Sequence, residues 1–150
     1  MKIDIEEIKK LRITTGASIA DCRIVFEESK GDPKKALDLL RARGFEKAEK
    51  KSDRKTSQGL IDSYIHQNGR IGAFVSVLCE TDFVARTSEF KHLVHEIAMQ
   101  VAAMNPKDVD SLLKQEYIRD SSKTIESFIK ETIAKLGENI VVKELKRFEI

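Results

Sequence analysis

Apolar positions in the first forty-odd residues recur at helical spacing and are broken by clear stop signals. Ile5, Ile8 and Leu11 stand three apart. Asp4 precedes them as a capping residue with Glu7 three positions later, and Thr15-Gly16 ends the run. Ser18 and Asp21 repeat the start signal, after which Ile19, Cys22, Val25 and Phe26 share one face. Gly31 suits the left-handed backbone just past a helix end, and Asp32-Pro33 opens a third helix because proline fits the first helical position. Ala36, Leu37 and Leu40 face inward there, and Gly44 is expected to close it. The pattern predicts a three-helix module over 1–45, near the lower size limit for independent stability. Residues 46–58 are predicted as a charged linker helix. Within 46–55, EKAEKKSDRK, five basic and three acidic side chains leave no apolar stripe, and Glu46–Lys50 is a favourable i,i+4 pair.

After Gly59 the period changes to two. Residues 60–67, LIDSYIHQ, and 71–79, IGAFVSVLC, read as strands, with Ile71, Ala73, Val75, Val77 and Cys79 on one face. Asn68-Gly69 between them predicts a hairpin with a type I′ turn. Phe74 and Leu78 on the other face suggest cover on both sides. Helical spacing returns with Phe90, Leu93, Val94, Ile97, Ala98 and Val101, and Asn105-Pro106 ends that helix. A short helix is expected over 110–118, then a longer one through Ile125, Phe128, Ile129, Ile133 and Leu136, stopped by Gly137. The closing IVVKELKRF reads as a third strand. A hairpin, helices and a late strand over 59–150 indicate an α+β fold, a small antiparallel sheet packed with helices.

Composition narrows the function classes. The chain has 150 residues, room for one ordinary domain or two very small ones. Its 27 basic and 25 acidic residues leave a net charge of +2, which argues against a binder that holds nucleic acid through many phosphates. With two tyrosines and no tryptophan, stacking platforms for single strands are poorly provided too. A 41% hydrophobic content suffices for a core, yet no apolar run approaches the roughly 20 residues of a membrane span. MKIDIEEIKK has neither a signal-peptide core nor the acid-poor character of a transit sequence, and two distant cysteines fit a reducing compartment. The expectation is a cytoplasmic protein with no nucleic-acid or membrane partner.

Few constellations carry chemistry. Glu89, His92 and His95 form an E-x-x-H unit plus a second histidine, but di-iron bundles need such a unit from two helices, and HLVHE matches neither common zinc pattern. No metal site is expected, and no P-loop or dinucleotide-binding glycine pattern points to a cofactor. Cys22 and Cys79 fall on apolar faces and read as buried small hydrophobes. The most informative segment is Glu80-Thr81-Asp82-Phe83-Val84-Ala85-Arg86, between the hairpin and the next helix. A carboxylate and a large aromatic stand adjacent in a loop held by rigid elements, the kind of loop that carries function. On pattern alone the competing reading leads, in which Phe83 and Val84 turn inward as core while Asp82 caps a turn.

ETDFVAR after a strand, preceded by LRITTGASIADC, GDPKKALDLLRARG and KAEKKSDRKTSQG and followed by IAKLGENIVVK, resembles the elongation factor Ts family. The matching blocks run in order from about Leu11 to Val142. Ser76 and Leu78 stand where the family often has Glu and Asn. The resemblance implies a guanine-nucleotide exchange factor, not an enzyme of covalent chemistry, acting on elongation factor Tu in GDP-bound and nucleotide-free forms. It implies that the first module is ubiquitin-associated-like and docks on the partner's GTPase domain. The motif maps onto Thr81, Asp82, Phe83, Val84 and Ala85, with the aromatic entering an apolar pocket and the acid lying toward the Mg²⁺ site. Leu11, Arg12 and Ile19 match the family's N-terminal contact region. Longer relatives carry two core halves, and only one fits here, which suggests a homodimer whose second chain supplies the other. Two competing readings remain: a ubiquitin-associated-like adaptor without exchange activity, and a metal-dependent hydrolase built on Glu89, His92 and His95.

Overall fold

The computed structural model describes residues 4–150, so the first three residues of the predicted 1–45 module lie outside it. Three helices open the chain: α1 (Ile5–Thr15), α2 (Ile19–Glu28) and α3 (Pro33–Lys50). The caps sit where the sequence puts them. Asp4 accepts the N–H groups of Glu6 and Glu7 at 3.0 and 3.4 Å, Ser18 accepts that of Asp21, and Asp32 accepts those of Lys34 and Lys35. Gly16 takes φ 70° and ends α1 through its N–H to the Arg12 carbonyl. Ile8, Leu11, Cys22, Val25, Phe26, Ala36 and Leu40 form the module's own core.

Gly44 does not close α3. The helix continues unbroken to Lys50, because a later element packs against its back: a Cβ at Gly44 would stand 3.3 Å from the Ala134 methyl. Glycine here permits close helix approach, and that contact overrides its usual role as a stop. The Glu46–Lys50 pair does not form; Glu49 pairs instead with Lys130 at 2.6 Å. Ala48, in the last turns of α3, already belongs to the second core.

That second core lies beneath a three-stranded antiparallel sheet of order β1-β2-β5, formed by β1 (Gln58–Ile65), β2 (Ile71–Cys79) and β5 (Val141–Glu149). Between β2 and β5 come α4 (Asp82–Ala85), α5 (Ser88–Met104), α6 (Val109–Lys114), a minor pair β3 (Glu116–Tyr117) and β4 (Asp120–Thr124), and α7 (Ile125–Leu136). The fold is α+β, as the sequence indicates. Ala73, Val75, Val77 and Cys79 on the inner face of β2 meet Phe90, Leu93, Ile97 and Val101 of α5 and Ile125, Ile129 and Ile133 of α7. Each fully buried large side chain in this layer contributes on the order of 1.5–3 kcal/mol.

Three expectations are corrected. The β1–β2 loop is not a two-residue type I′ turn: His66 pairs with Ile71 across a four-residue loop, 67–70, in which Gly69 alone takes positive φ, 72°, and its N–H closes on the His66 carbonyl at 2.7 Å, so only one left-handed position is needed. The helix expected over 110–118 stops at Lys114, and a small strand pair follows. The outer face of the sheet is open in the single chain, with Ile61, Ile65, Phe74, Val141 and Phe148 exposed on it.

Candidate functional site

The segment 80–87 is short, but every backbone turn in it has a cause. Cys79 ends β2 fully buried, and its thiol donates to the Thr81 carbonyl at 3.1 Å. Burial, and then the Glu138 carboxylate, push that thiol up from its ordinary value. Thr81, not Asp82, is the cap: its hydroxyl oxygen accepts the Val84 N–H at 3.3 Å and starts the single turn α4. Thr87 then caps α5 by accepting the Phe90 N–H at 3.2 Å. The loop expected between β2 and α5 is therefore two successive capped starts.

These caps divide the motif by direction. Ala85 is buried and Val84 packs against the second core. Phe83 is 77% exposed, so the inward alternative for it does not hold. Asp82 is half exposed and pairs with Arg86 across one turn at 3.1 Å. The structure thus brings an aromatic and a carboxylate to the outside of a turn whose other two residues anchor it.

Sequence reasoning missed the supports. Glu138, between α7 and β5, accepts the N–H groups of Glu80 and Thr81 at 3.1 and 2.9 Å through one oxygen and the Thr81 hydroxyl at 2.7 Å through the other. In return the Glu80 carboxylate accepts the Asn139 N–H at 2.8 Å. Asn139, 4% exposed, donates its amide to the carbonyls of Ser52 and Arg54. The only local signal is a polar pair, Glu138-Asn139, wedged between a helix-stopping glycine and a β-branched strand. Ser76 and Leu78 lie on the face of β2 opposite Cys79, paired with Ile61 and Gly59 of β1.

On the helical module Ile19 is 56% exposed and Arg12 is exposed without a carboxylate partner among the described residues. Leu11, by contrast, is buried in the module's core beneath them. Ile13, which the sequence reading passed over, is 84% exposed; its clue is an isoleucine out of phase with Ile8 and Leu11. A cleft of about 620 Å³ lies away from the motif, between the helical module and α7. Cations line it, among them Arg12, Arg41 and Lys135, with Asp21 and Glu131 opposing. Elsewhere His95 contacts Asp62 at 3.1 Å, His92 meets Phe128 edge-on, and Glu89 bonds Ser88. Among the described residues no group of three or more His, Cys, Asp or Glu side chains could hold a metal, and no helix is long and apolar enough to cross a membrane.

Fold and site together define a two-module α+β protein with exposed apolar side chains on each module. The family model described as Elongation factor TS matches residues 80–150, the stretch that opens on the motif and closes on β5. Elongation factor Ts of Thermoanaerobacter sp. (strain X514) is 41% identical over 192 aligned positions, which cover 98% of this chain and 94% of the relative. That of Thermotoga neapolitana is 40% identical over 193 positions, covering 100% and 98%. That of Rippkaea orientalis is 41% identical over 193 positions, covering 98% and 78%. The chain belongs to the elongation factor Ts family of translation elongation factors. Since 192 aligned positions exceed 150 residues, at least 42 residues of the Thermoanaerobacter relative have no counterpart here.

Proposed function

We propose that this protein accelerates GDP release from elongation factor Tu in the cytoplasm, as a nucleotide exchange factor that makes and breaks no covalent bond. The observation that carries the reading is Phe83: a large aromatic held outward, 77% exposed, on a turn whose Thr81, Val84 and Ala85 are all fixed inward. A side chain of this kind, adjacent to a carboxylate, suits an apolar pocket beside a cation site. Nucleotide and Mg²⁺ order the phosphate-binding loops of a GTPase together. A partner that binds better to loops displaced from the metal must weaken the nucleotide by the same factor. In this reading Phe83 enters the GTPase domain, Asp82 lies toward the Mg²⁺ site, and Arg12, Ile13 and Ile19 form the second contact. Leu11 supports that contact from below.

The open face of the β1-β2-β5 sheet carries the companion proposal, a homodimer. Ile61, Ile65, Phe74 and Phe148 leave it apolar, and Glu144 and Lys146 alternate on the same face of β5, so a two-fold partner offers opposite charges to each. Family membership supports the exchange reading.

The test times release of a fluorescent GDP analogue from elongation factor Tu. The parent chain accelerates it, and Phe83→Ala loses roughly 30-fold of that acceleration, the worth of one buried aromatic anchor at ~2 kcal/mol. Because Phe83 touches little of its own chain, the variant's stability stays within about 0.5 kcal/mol of the parent. A Phe83→Ala chain as active as the parent refutes the assignment; a parent without effect leaves an interaction adaptor as the better reading.

A further inference from the structure

We propose that Glu138 is a positioning residue for exchange, fixing the direction in which Phe83 is presented. The inference rests on the reading of the 81–85 turn given above and deepens it. α4 has four residues and cannot hold itself, since a single helical turn is unfavourable without outside support. Phe83, being mostly exposed, draws no orientation from the core. Its direction is therefore set by the backbone of 81–84, and that backbone hangs on Thr81.

Thr81 in turn hangs on Glu138. The carboxylate, 57 residues further along the chain, accepts three donors at one point: the N–H groups of Glu80 and Thr81 and the Thr81 hydroxyl, at 3.1, 2.9 and 2.7 Å. With its own proton committed to Glu138, the hydroxyl oxygen is oriented to accept the Val84 N–H, which is the bond that starts α4. The return bonds complete a clasp. Glu80 accepts the Asn139 N–H at 2.8 Å, with Arg54 3.6 Å from the same oxygen, and Asn139 reaches the carbonyls of Ser52 and Arg54 just past the end of α3. One joint thus locks the Phe83 turn, the start of β5 and the base of the helix that carries the N-terminal module. An anchor held rigid before docking loses less conformational freedom on docking.

The experiment uses the full-length chain and follows GDP release from elongation factor Tu across a range of factor concentrations, with thermal unfolding of every variant measured alongside. Glu138→Ala leaves three donors without their acceptor, and the maximal release rate falls about tenfold or more. The half-saturating concentration moves much less, because the N-terminal contact is intact. Glu138→Gln keeps an oxygen for both N–H groups and an amide for the Thr81 oxygen, and it recovers most of the rate. In a double-variant cycle, Phe83→Ala with Glu138→Ala is no slower than Phe83→Ala alone, since Glu138 acts through Phe83.

A parental maximal rate for Glu138→Ala, or losses that multiply in the double variant, overturns the proposal while the Phe83 reading stands. A Phe83→Ala chain with parental activity removes both. If Glu138→Ala is unfolded at the assay temperature, Thr81→Val decides: it keeps the clasp's backbone bonds and removes only the hydroxyl. A reduced maximal rate supports the proposal, and an unchanged one overturns it.

Discussion

Gly59 and Phe83 show how differently single residues near one motif are constrained. The Phe83 ring packs little against its own chain, and only the backbone beneath it sets its direction. Gly59 is the reverse: a Cβ there would meet the Val77 carbonyl oxygen at 2.1 Å and the Leu78 Cα at 2.8 Å, both backbone atoms that cannot turn aside, and its φ is 153°. Gly59→Ala is expected to destabilise the chain by about 1–3 kcal/mol, the range for forcing atoms into packed structure, as read from the midpoint of urea unfolding. Single residues were legible in the sequence when their role was local. The caps Asp4, Ser18 and Asp32 and the buried Cys22 and Cys79 all follow from near neighbours, whereas the pattern left the direction of Phe83 open. Glu138 and Asn139 were not legible, because their partners lie 57 to 87 residues away.

At the scale of elements, the first module depends on its capping bonds. The Ser18 hydroxyl, and then the Lys47 ammonium at 3.2 Å, hold the Asp21 carboxyl below its ordinary value of 3.8. A carboxyl lowered by folding contributes stability that is complete above 3.8 and is lost as pH falls through the lower, folded value. Asp21→Asn is therefore expected to lower the melting temperature by about 2–4 °C at pH 7, with the gap closing as the pH falls below 3.8; melts across pH 2–7 check this. Elements with a clear period were legible, and both main strands of the hairpin, α5, α7 and β5 fall within a residue or two of expectation. The β3–β4 pair was not. Its DSSKT strand has no alternation, and the pair is held through β3 and the residues flanking it by polar side chains of α5: Gln100 bonds the Glu116 carbonyl, the Ile118 N–H and Gln115, while Glu96 takes the Tyr117 hydroxyl at 2.5 Å and Arg119 at 2.6 Å. Stacking of Tyr117 on Phe128 at 4.7 Å completes the hold. Burial, followed by the bond to Glu96, raises the Tyr117 phenol well above its usual range, so the network keeps its proton at neutral pH. Gly44 is the converse case, a local stop signal cancelled by packing on α7.

At the scale of the whole molecule, the sheet is the unfinished part. β1 and β5 are both edges, and the outer face carries Phe74 at its centre, 49% exposed on the middle strand. A chain left this way invites pairing or cover. Sedimentation of the parent is expected to give twice the 17.0 kDa chain mass, and Phe74→Asp to return it to 17.0 kDa. A parent that sediments as a single chain at concentrations where exchange is intact excludes the dimer. The sequence exposed the apolar residues of this face but not their openness, because alternation alone cannot say whether a second layer lies outside a strand.

The uninterrupted run of α3 from Pro33 to Lys50 has a consequence for how this molecule grips anything. Eighteen residues of helix make a strut roughly 27 Å long with no swivel in it. The exposed isoleucines of the first module lie beside the C-terminal turns of this strut, where Asp21 of α2 bonds Lys47 at 3.2 Å, and in the proposed reading they and the aromatic are two prongs at a set separation. Once one prong is seated, the other is delivered at an effective concentration fixed by geometry rather than diluted over the sweep of a flexible tether. Avidity of this sort rewards a target whose two receiving surfaces have the matching span, and it penalises every target that does not.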